Sequence, residues 1–222
     1  MSVMDDEKLT LLHEHYRDTC GGMAEQRNKR DRYFYLVLLV LAIALFDFTA
    51  PQGFAAVIGD VLKDQFGLSV PPDLAYVRSL LWFLLLGLTV RYGQAALGVE
   101  RLYLYLKDLE VVLAASVGAG FQREGEAYRT YDPLFISWAH YLYTLVFPIV
   151  LACVAIAWMS RQIPGWPWPV GSISWPAAAW VNLTITVGIL ASIIMYLDAF
   201  HLYDRRREDK QPKRRRKDRK PI

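Results

Sequence analysis

Three ionisable residues lie within or beside long apolar stretches of the sequence: Arg91, His140 and Asp198. Charged groups are costly in hydrocarbon, so each is a functional candidate if a partner can be named. At 1.5 Å per residue, Arg91 lies about 9 Å and His140 about 10 Å from the cytoplasmic end expected for its span. Asp198 lies near the same end of the last apolar stretch. With Gln94, these residues are predicted to form a polar layer in the inner leaflet.

Such a layer has two main interpretations. It can line a water-filled vestibule or gate, or Arg91 and Asp198 can form a closed clamp that holds the helices together. A membrane enzyme with a lipid site open to the inner leaflet is a third. Asp198 and His201 are spaced i, i+3, but with His140 they supply too few ligands, so we predict no metal site. No phosphate loop, HExxH or nucleophile elbow occurs, so we expect neither enzymatic activity nor a cofactor.

The composition excludes an ordinary soluble enzyme. The chain has 222 residues, 54% of them hydrophobic, and a net charge of +3. Four apolar stretches, 33–49, 76–97, 133–159 and 175–200, are long enough to cross a bilayer and leave no room for a separate catalytic domain. The two cysteines, Cys20 and Cys153, form no disulfide framework. The sequence therefore predicts an all-α polytopic membrane protein with four transmembrane helices and short cytoplasmic helices.

Lysine and arginine are distributed unevenly between the loops. Six lie in residues 1–32, four in residues 98–132 and eleven in the tail, whereas the other two loops hold only Lys63 and Arg161. Basic residues in short loops stay in the cytoplasm, so both termini are expected there. Three regions follow: a cytoplasmic amphipathic segment (1–32), a transmembrane domain (33–200) with a cytoplasmic helical loop at about 98–132, and a basic cytoplasmic tail (201–222).

Two polar regions show helical spacing of apolar residues. In the N-terminal segment the apolar face runs from Leu9 to Met23, although Gly21 and Gly22 weaken this prediction. After span two, Val99 to Leu113 continues the same spacing, which predicts one long helix that ends before Gly118. The projecting part is either an oligomer stem or a cap under the helical bundle.

Small residues and basic residues give two further candidate surfaces. Thr184, Gly188 and Ser192 follow four-residue steps in span four and predict close helix packing, within one subunit or between subunits. Pro148 is expected to kink span three and to free a carbonyl. Contacts with anionic lipid or another anionic ligand are expected from two basic clusters. These are Arg27, Lys29, Arg30, Arg32, Arg205, Arg206, Arg207, Arg214, Arg215 and Arg216. Direct binding of nucleic acid is not favoured, because a charge run alone is unspecific.

Four sequence stretches carry a resemblance to small four-span bacterial membrane proteins. They are RNKRDRYF (27–34), LLWFLLLGLTVRYGQ (80–94), VERLYLYLKDLE (99–110) and REGEAYRTYDPLFISW (123–138). The overall plan is also similar to membrane subunits of anti-phage systems of the Kiwa and Hailong type. The resemblance implies oligomerisation in the inner membrane and a role in perturbing ion flow or membrane integrity. The basic tail is not part of this pattern.

The leading functional hypothesis is a channel-like or membrane-perturbing homo-oligomer, an effector in anti-phage defence. The polar layer would control permeation, and the stem from Glu100 to Leu113 would receive a signal from a cytoplasmic sensor protein or a nucleotide-type ligand. The alternative is a membrane scaffold that recruits a cytoplasmic partner through its N-terminal helix, the 118–132 loop or the tail.

Overall fold

A computed structural model of the chain describes residues 3–67, 74–117, 138, 141–162 and 177–209. In these ranges the fold is all-helical and contains no strand, as the sequence predicts. The elements are α1 (Val3–Thr49), α2 (Pro51–Phe66), α3 (Ala75–Val117), a π-helical turn (Leu142–Val146) that leads into α4 (Phe147–Gln162), and α5 (Ala177–Asp209).

Four helical segments are long and apolar enough to cross a membrane. They are Glu7–Thr49, Ala75–Val117, Leu142–Arg161 and Ala177–His201. The four predicted spans are thereby confirmed, and the chain has the architecture of a multi-pass membrane protein. Helices satisfy every backbone hydrogen bond internally, which is why apolar segments of this length cross hydrocarbon as helices.

The helices contribute to two compact units. The membrane unit comprises Lys29–Gln94 and Tyr143–Ile193, and the stem unit comprises Met1–Asn28, Ala95–Leu142 and Ile194–Ile222. The interior of the membrane unit is mainly aliphatic, with Val37, Leu85, Leu151 and Ile189 almost fully buried. Each comes from a different one of its four long helices. At one end of this unit α1 and α4 end while α3 and α5 begin, and because a pocket lies there we call it the pocket end. At the other end, the entry end, α1 enters the unit and α3 leaves it.

In the stem unit, α1 packs against α3. Tyr16 and Met23 of α1 form a buried cluster with Leu106, Leu109 and Leu113 of α3. The apolar spacing in both segments predicted these helical faces. Helix α1 continues through Gly21 and Gly22, which were expected to weaken it. Each glycine costs about 1 kcal/mol in a helix, and burial of Tyr16 and Met23 on either side offsets that cost.

Helix α2 follows α1 after a single residue and has one mainly apolar face. Phe54 is buried and packs edge-on against Phe46, with ring centroids 5.9 Å apart. Val57, Val61 and Phe66 stay exposed. The helix ends at Gly67, whose φ of 65° is the left-handed conformation that glycine adopts without strain. An amphipathic helix with such an exposed apolar face suits a membrane interface.

Candidate functional site

The structure brings two of the predicted polar residues together on the surface of α3. Arg91 and Gln94 are both exposed, and Arg91 Nη1 donates a weak hydrogen bond of 3.4 Å to Gln94 Oε1. Gly87 and Leu84 lie on the same exposed face, one and two turns before Arg91 respectively. The pair is therefore on the outside of the membrane unit and not among its buried side chains.

The structure describes only one of the other two members of the predicted polar layer. Asp198 is exposed on α5, in the stretch that belongs to the stem unit. His140 lies outside the described residues. A shared layer of Arg91, His140 and Asp198 therefore stays a prediction.

The opposite face of α3 is fixed to the beginning of α4. Tyr92 is buried, and its hydroxyl donates a 2.7 Å hydrogen bond to the carbonyl of Tyr143 in the π-helical turn. In a π-helix the carbonyl of residue i accepts from the amide of residue i+5, which for Tyr143 is Pro148. Proline has no N–H, so it leaves this carbonyl for another donor. The carbonyl that Pro148 was expected to free is thus bonded by a side chain from a neighbouring helix.

Aromatic rings surround this hydrogen bond. Phe34 of α1 lies 4.7 Å from both Tyr143 and Phe147 between ring centroids, and 6.2 Å from Tyr92. The guanidinium of Arg30 lies over the Tyr143 ring at 5.8 Å and pairs with Asp31 at 2.8 Å. The entry end of the membrane unit therefore has a rigid aromatic core directly behind the exposed Arg91.

The predicted basic contacts differ in their surroundings. Arg27 donates to the Tyr103 hydroxyl and lies over its ring within the stem unit. Arg30 is half-buried and donates a hydrogen bond to the Asp31 carboxylate, whereas Lys29 and Arg32 are exposed. Helix α5 includes Arg205, Arg206 and Arg207, and the residues Arg214, Arg215 and Arg216 lie outside the described part of the chain. Exposed Lys29 and Arg32 are the two best placed for headgroups.

The small-residue stripe of α5 makes a close contact inside the subunit. A Cβ atom on Gly188 would lie 3.4 Å from both δ carbons of Leu86 on α3. Ser192 Oγ donates to the Gly188 carbonyl at 2.7 Å, and Thr184 Oγ1 donates to the Trp180 carbonyl at 3.0 Å. Both hydroxyls are satisfied by their own helix, so at Gly188 the stripe serves packing between α5 and α3.

A buried ion pair occupies the pocket end. Asp47 of α1, only 4% exposed, accepts from Nε and Nη2 of Arg78 on α3 at 3.0–3.2 Å. A carboxylate this close to the end of a span can extend to the membrane interface or belong to an outer charged ring. Two charges taken out of water need such two-point geometry to offset their desolvation. Asp47 is instead a buried partner that joins two helices.

Arg161 is a second arginine at the pocket end. Its Nη1 donates to the Phe48 carbonyl at 2.7 Å, and its guanidinium lies 3.9 Å from the centroid of the Phe48 ring. Phe48 is next to the last residue of α1, where a helix has unpaired carbonyls and a partial negative charge. The contact therefore closes the end of α1 with a residue from the end of α4.

These arginines border a pocket of about 690 Å³ between the ends of the four long helices of the membrane unit. Its lining includes Asp47, Arg78, Arg161, Trp158 and Asn182, together with the first turns of α3 and α5. A volume in this range suits a lipid-like or drug-sized molecule. Deeper in the unit, a cavity of about 10 Å³ beside Trp82 and Trp158 is too small for more than about one water molecule.

Sequence reasoning missed this pocket because its residues come from four separate segments. The available signal was the occurrence of Asp47, Arg78 and Arg161 near the same ends of their spans. Oppositely charged residues at matching depth in neighbouring spans are candidates for an ion pair. Within the ranges that the structure describes, no three His, Cys, Asp or Glu side chains lie close enough to hold a metal ion.

Comparisons with protein families, with curated proteins and with solved structures find no match to this chain.

Proposed function

We propose that this protein forms a homo-oligomer in the bacterial inner membrane and acts as a channel-like, membrane-perturbing effector. In the assembly, the α3 face of Leu84, Gly87, Arg91 and Gln94 meets a neighbouring copy and borders the permeation path. The observation that carries this proposal is the exposed position of Arg91 and Gln94 on an apolar, span-length helix. An arginine facing hydrocarbon is costly, and a neighbouring subunit or water lowers that cost.

The interior of a single chain supports a path between copies. Val37, Val40, Leu85, Leu151 and Ala155 fill the centre of the membrane unit and are 5% exposed or less. These aliphatic side chains offer no polar contact to a hydrated ion. The buried hydroxyl and amide groups of the unit, such as Thr144, Asn182 and Thr186, are packed inside it and line no open path among the described residues. Permeation by this protein therefore depends on surfaces that only an assembly brings together.

The same α3 face has a position suited to close helix contact. Gly87 is exposed, and a Cβ atom built on it meets no other atom within 4 Å. Small residues let helix backbones approach closely in lipid, where apolar burial no longer drives association. Gly87 lies one turn before Arg91, so an approach at Gly87 brings the arginine to the interface between subunits.

Oligomerisation and conductance are tested together. We expect purified full-length protein to give multiples of the 25.4 kDa chain mass in native mass spectrometry and ion currents in planar bilayers. Gly87→Leu should reduce both, whereas Ala157→Leu, which enlarges an exposed small residue on α4, should leave both unchanged. A strictly monomeric mass together with silent bilayers under every pH and ligand tried would contradict the proposal.

The charge of Arg91 gives a second readout. A ring of arginines beside the path favours anions. Arg91→Gln should lower the anion preference of the current, and Arg91→Glu should move the reversal potential toward cation selectivity. Equal reversal potentials for the unchanged protein and the two variants would show that Arg91 does not border the permeation path.

The stem unit supports a scaffold as the second candidate function. Leu11 of α1 and Val111 and Val112 of α3 are exposed by more than half, with Val111 at 64%. Exposed apolar side chains on a helical pair suit a partner helix. Val111→Asp and deletion of Arg205–Ile222 should each release a cytoplasmic partner while the oligomer persists. A channel without a scaffold role keeps its current after the deletion.

A further inference from the structure

The pocket end of the membrane unit combines positive charge with an apolar wall. Its two arginines differ in how their charge is balanced. Arg78 is neutralised by the Asp47 carboxylate at 3.0 Å. Arg161 bonds to the Phe48 carbonyl and has no carboxylate partner among the described residues. Among the described residues that line the pocket, three side chains are charged, and together they leave one positive charge, at Arg161.

Trp158 contributes ring carbon surface to the pocket. The residue lines the pocket and is only 6% exposed, and its Nε1 is buried without an acceptor among the described residues. Because this nitrogen has almost no accessible surface, it does not face a ligand in the pocket. Arg161, which is exposed, is the pocket's charged donor.

The ends of two helices add a positive electrostatic potential to the charge of Arg161. The first turns of α3 and α5 line the pocket at Ala75 and at Ala177–Ala179. The helix dipole gives each of these ends a partial positive charge, which favours an anion beside Arg161.

The walls, by contrast, are mainly apolar. Phe48, Pro51, Trp158 and Val181 contribute carbon surface, and the volume of about 690 Å³ exceeds the size of a phosphate or carboxylate group alone. A ligand that fills this space needs an apolar body attached to its anionic head. We propose that the pocket binds an amphiphile with a single oxyanion head, either the phosphodiester of an anionic phospholipid or the carboxylate of a fatty acid.

The experiment uses the full chain in a neutral detergent. Native mass spectrometry measures the binding of four probes: phosphatidylglycerol, oleate, phosphatidylcholine and inorganic phosphate. We expect the anionic amphiphiles to bind at least about tenfold more tightly than phosphatidylcholine, since hydrogen bonds between a guanidinium and an oxyanion are stronger than neutral ones. Tighter binding of phosphatidylglycerol identifies lipid phosphate as the head, and tighter binding of oleate identifies the carboxylate.

Two variants and one control locate the site. Arg161→Gln should weaken binding of the preferred amphiphile about tenfold, by loss of a charged donor. Lys63→Gln removes an equal charge from an exposed position on α2 and should change binding less than twofold. Val181→Trp keeps Arg161 and fills part of the pocket from an exposed position, so it tests the site if Arg161→Gln does not fold. Melting temperatures report folding.

Three results would overturn the proposal. They are equal affinity for phosphatidylcholine, inorganic phosphate binding as tightly as the amphiphiles, and unchanged amphiphile binding in folded Arg161→Gln or Val181→Trp protein. None of them depends on oligomer mass or conductance. Failure of this inference is therefore distinguishable from failure of the proposed function.

Discussion

The Tyr92 hydroxyl and the Tyr143 carbonyl lie 2.7 Å apart, and this hydrogen bond fastens α3 to the turn that precedes α4. It occurs where Pro148 interrupts the backbone hydrogen bonding of the helix. Side chains from neighbouring helices commonly compensate for proline in membrane helices. The π-helical turn before α4 is thereby part of the packing between α3 and α4.

We predict that Tyr92→Phe lowers the free energy of unfolding by about 1–2 kcal/mol, because it leaves a buried carbonyl without its donor. In a Pro148→Ala background the amide of residue 148 becomes available to the helix, and the cost of Tyr92→Phe should fall below about 0.5 kcal/mol. Thermal unfolding of the four proteins of this cycle in detergent measures the coupling. Additive effects would show that the two features are independent.

The pair of Asp47 and Arg78 should be strongly coupled. Removing one partner of a buried ion pair costs about 3–5 kcal/mol, because the other charge stays buried without compensation. We therefore expect Asp47→Leu to reduce the melting temperature sharply and Asp47→Leu/Arg78→Leu to recover much of the loss. Asp60→Leu, an exposed acidic position on α2, is the control and should have little effect. A double variant as unstable as Asp47→Leu would contradict the coupling.

The stem contains a second buried polar contact. Tyr16 of α1 donates to Glu110 Oε1 on α3 at 3.1 Å, and both side chains are buried. Tyr16→Phe should destabilise the stem by about 1–3 kcal/mol, and Leu106→Ala, at a fully buried position, by about 2–5 kcal/mol. Val112→Ala, at an exposed position, should change stability by less than about 0.5 kcal/mol. Hydrogen exchange of α1 and α3 peptides measures the stability of the stem in each variant. Equal protection in all three variants would show that Tyr16 and Leu106 do not stabilise the stem.

Gly188 should respond to the size of its substitute. In Gly188→Ala the new Cβ lies 3.4 Å from the terminal carbons of Leu86, which can move slightly, so stability should change by less than about 1 kcal/mol. Gly188→Leu forces α5 away from α3 and should cost about 1–3 kcal/mol. Gly59→Leu, where no atom limits the new Cβ, serves as the control in the same melting experiment. Similar melting temperatures for Gly188→Leu and Gly59→Leu would exclude a close contact.

The features that the sequence predicts well are local ones. The spacing of Leu102, Leu106, Leu109 and Leu113 predicts a helix that extends beyond the second span, and α3 continues to Val117. Four apolar stretches predict four spans because the requirement to satisfy backbone groups in lipid leaves few alternatives. The position of Pro148 predicts an interruption, although the structure places it as a π-helical turn before the proline.

Contacts between distant segments were not predicted. Asp47 and Arg78 are 31 residues apart, and no periodicity within either helix shows that they meet. The identity of the donor to the Tyr143 carbonyl likewise depends on Tyr92, which is 51 residues away. Gly21 and Gly22 show that such contacts can also outweigh a local signal. Their low helix propensity predicts a weak helix, but packing of the surrounding α1 residues keeps α1 continuous.

The separation of Asp47 from Arg78 along the chain bears on how the protein is made. Synthesis delivers α1, with its acid near the far end, before the arginine that neutralises it. An aspartate opposes insertion of an isolated helix, although less near its end than at its centre. We therefore expect the first span to reach its most stable position only after the chain through Arg78 has emerged. On this view the first two spans insert as a coupled pair, with α2 as the connecting segment.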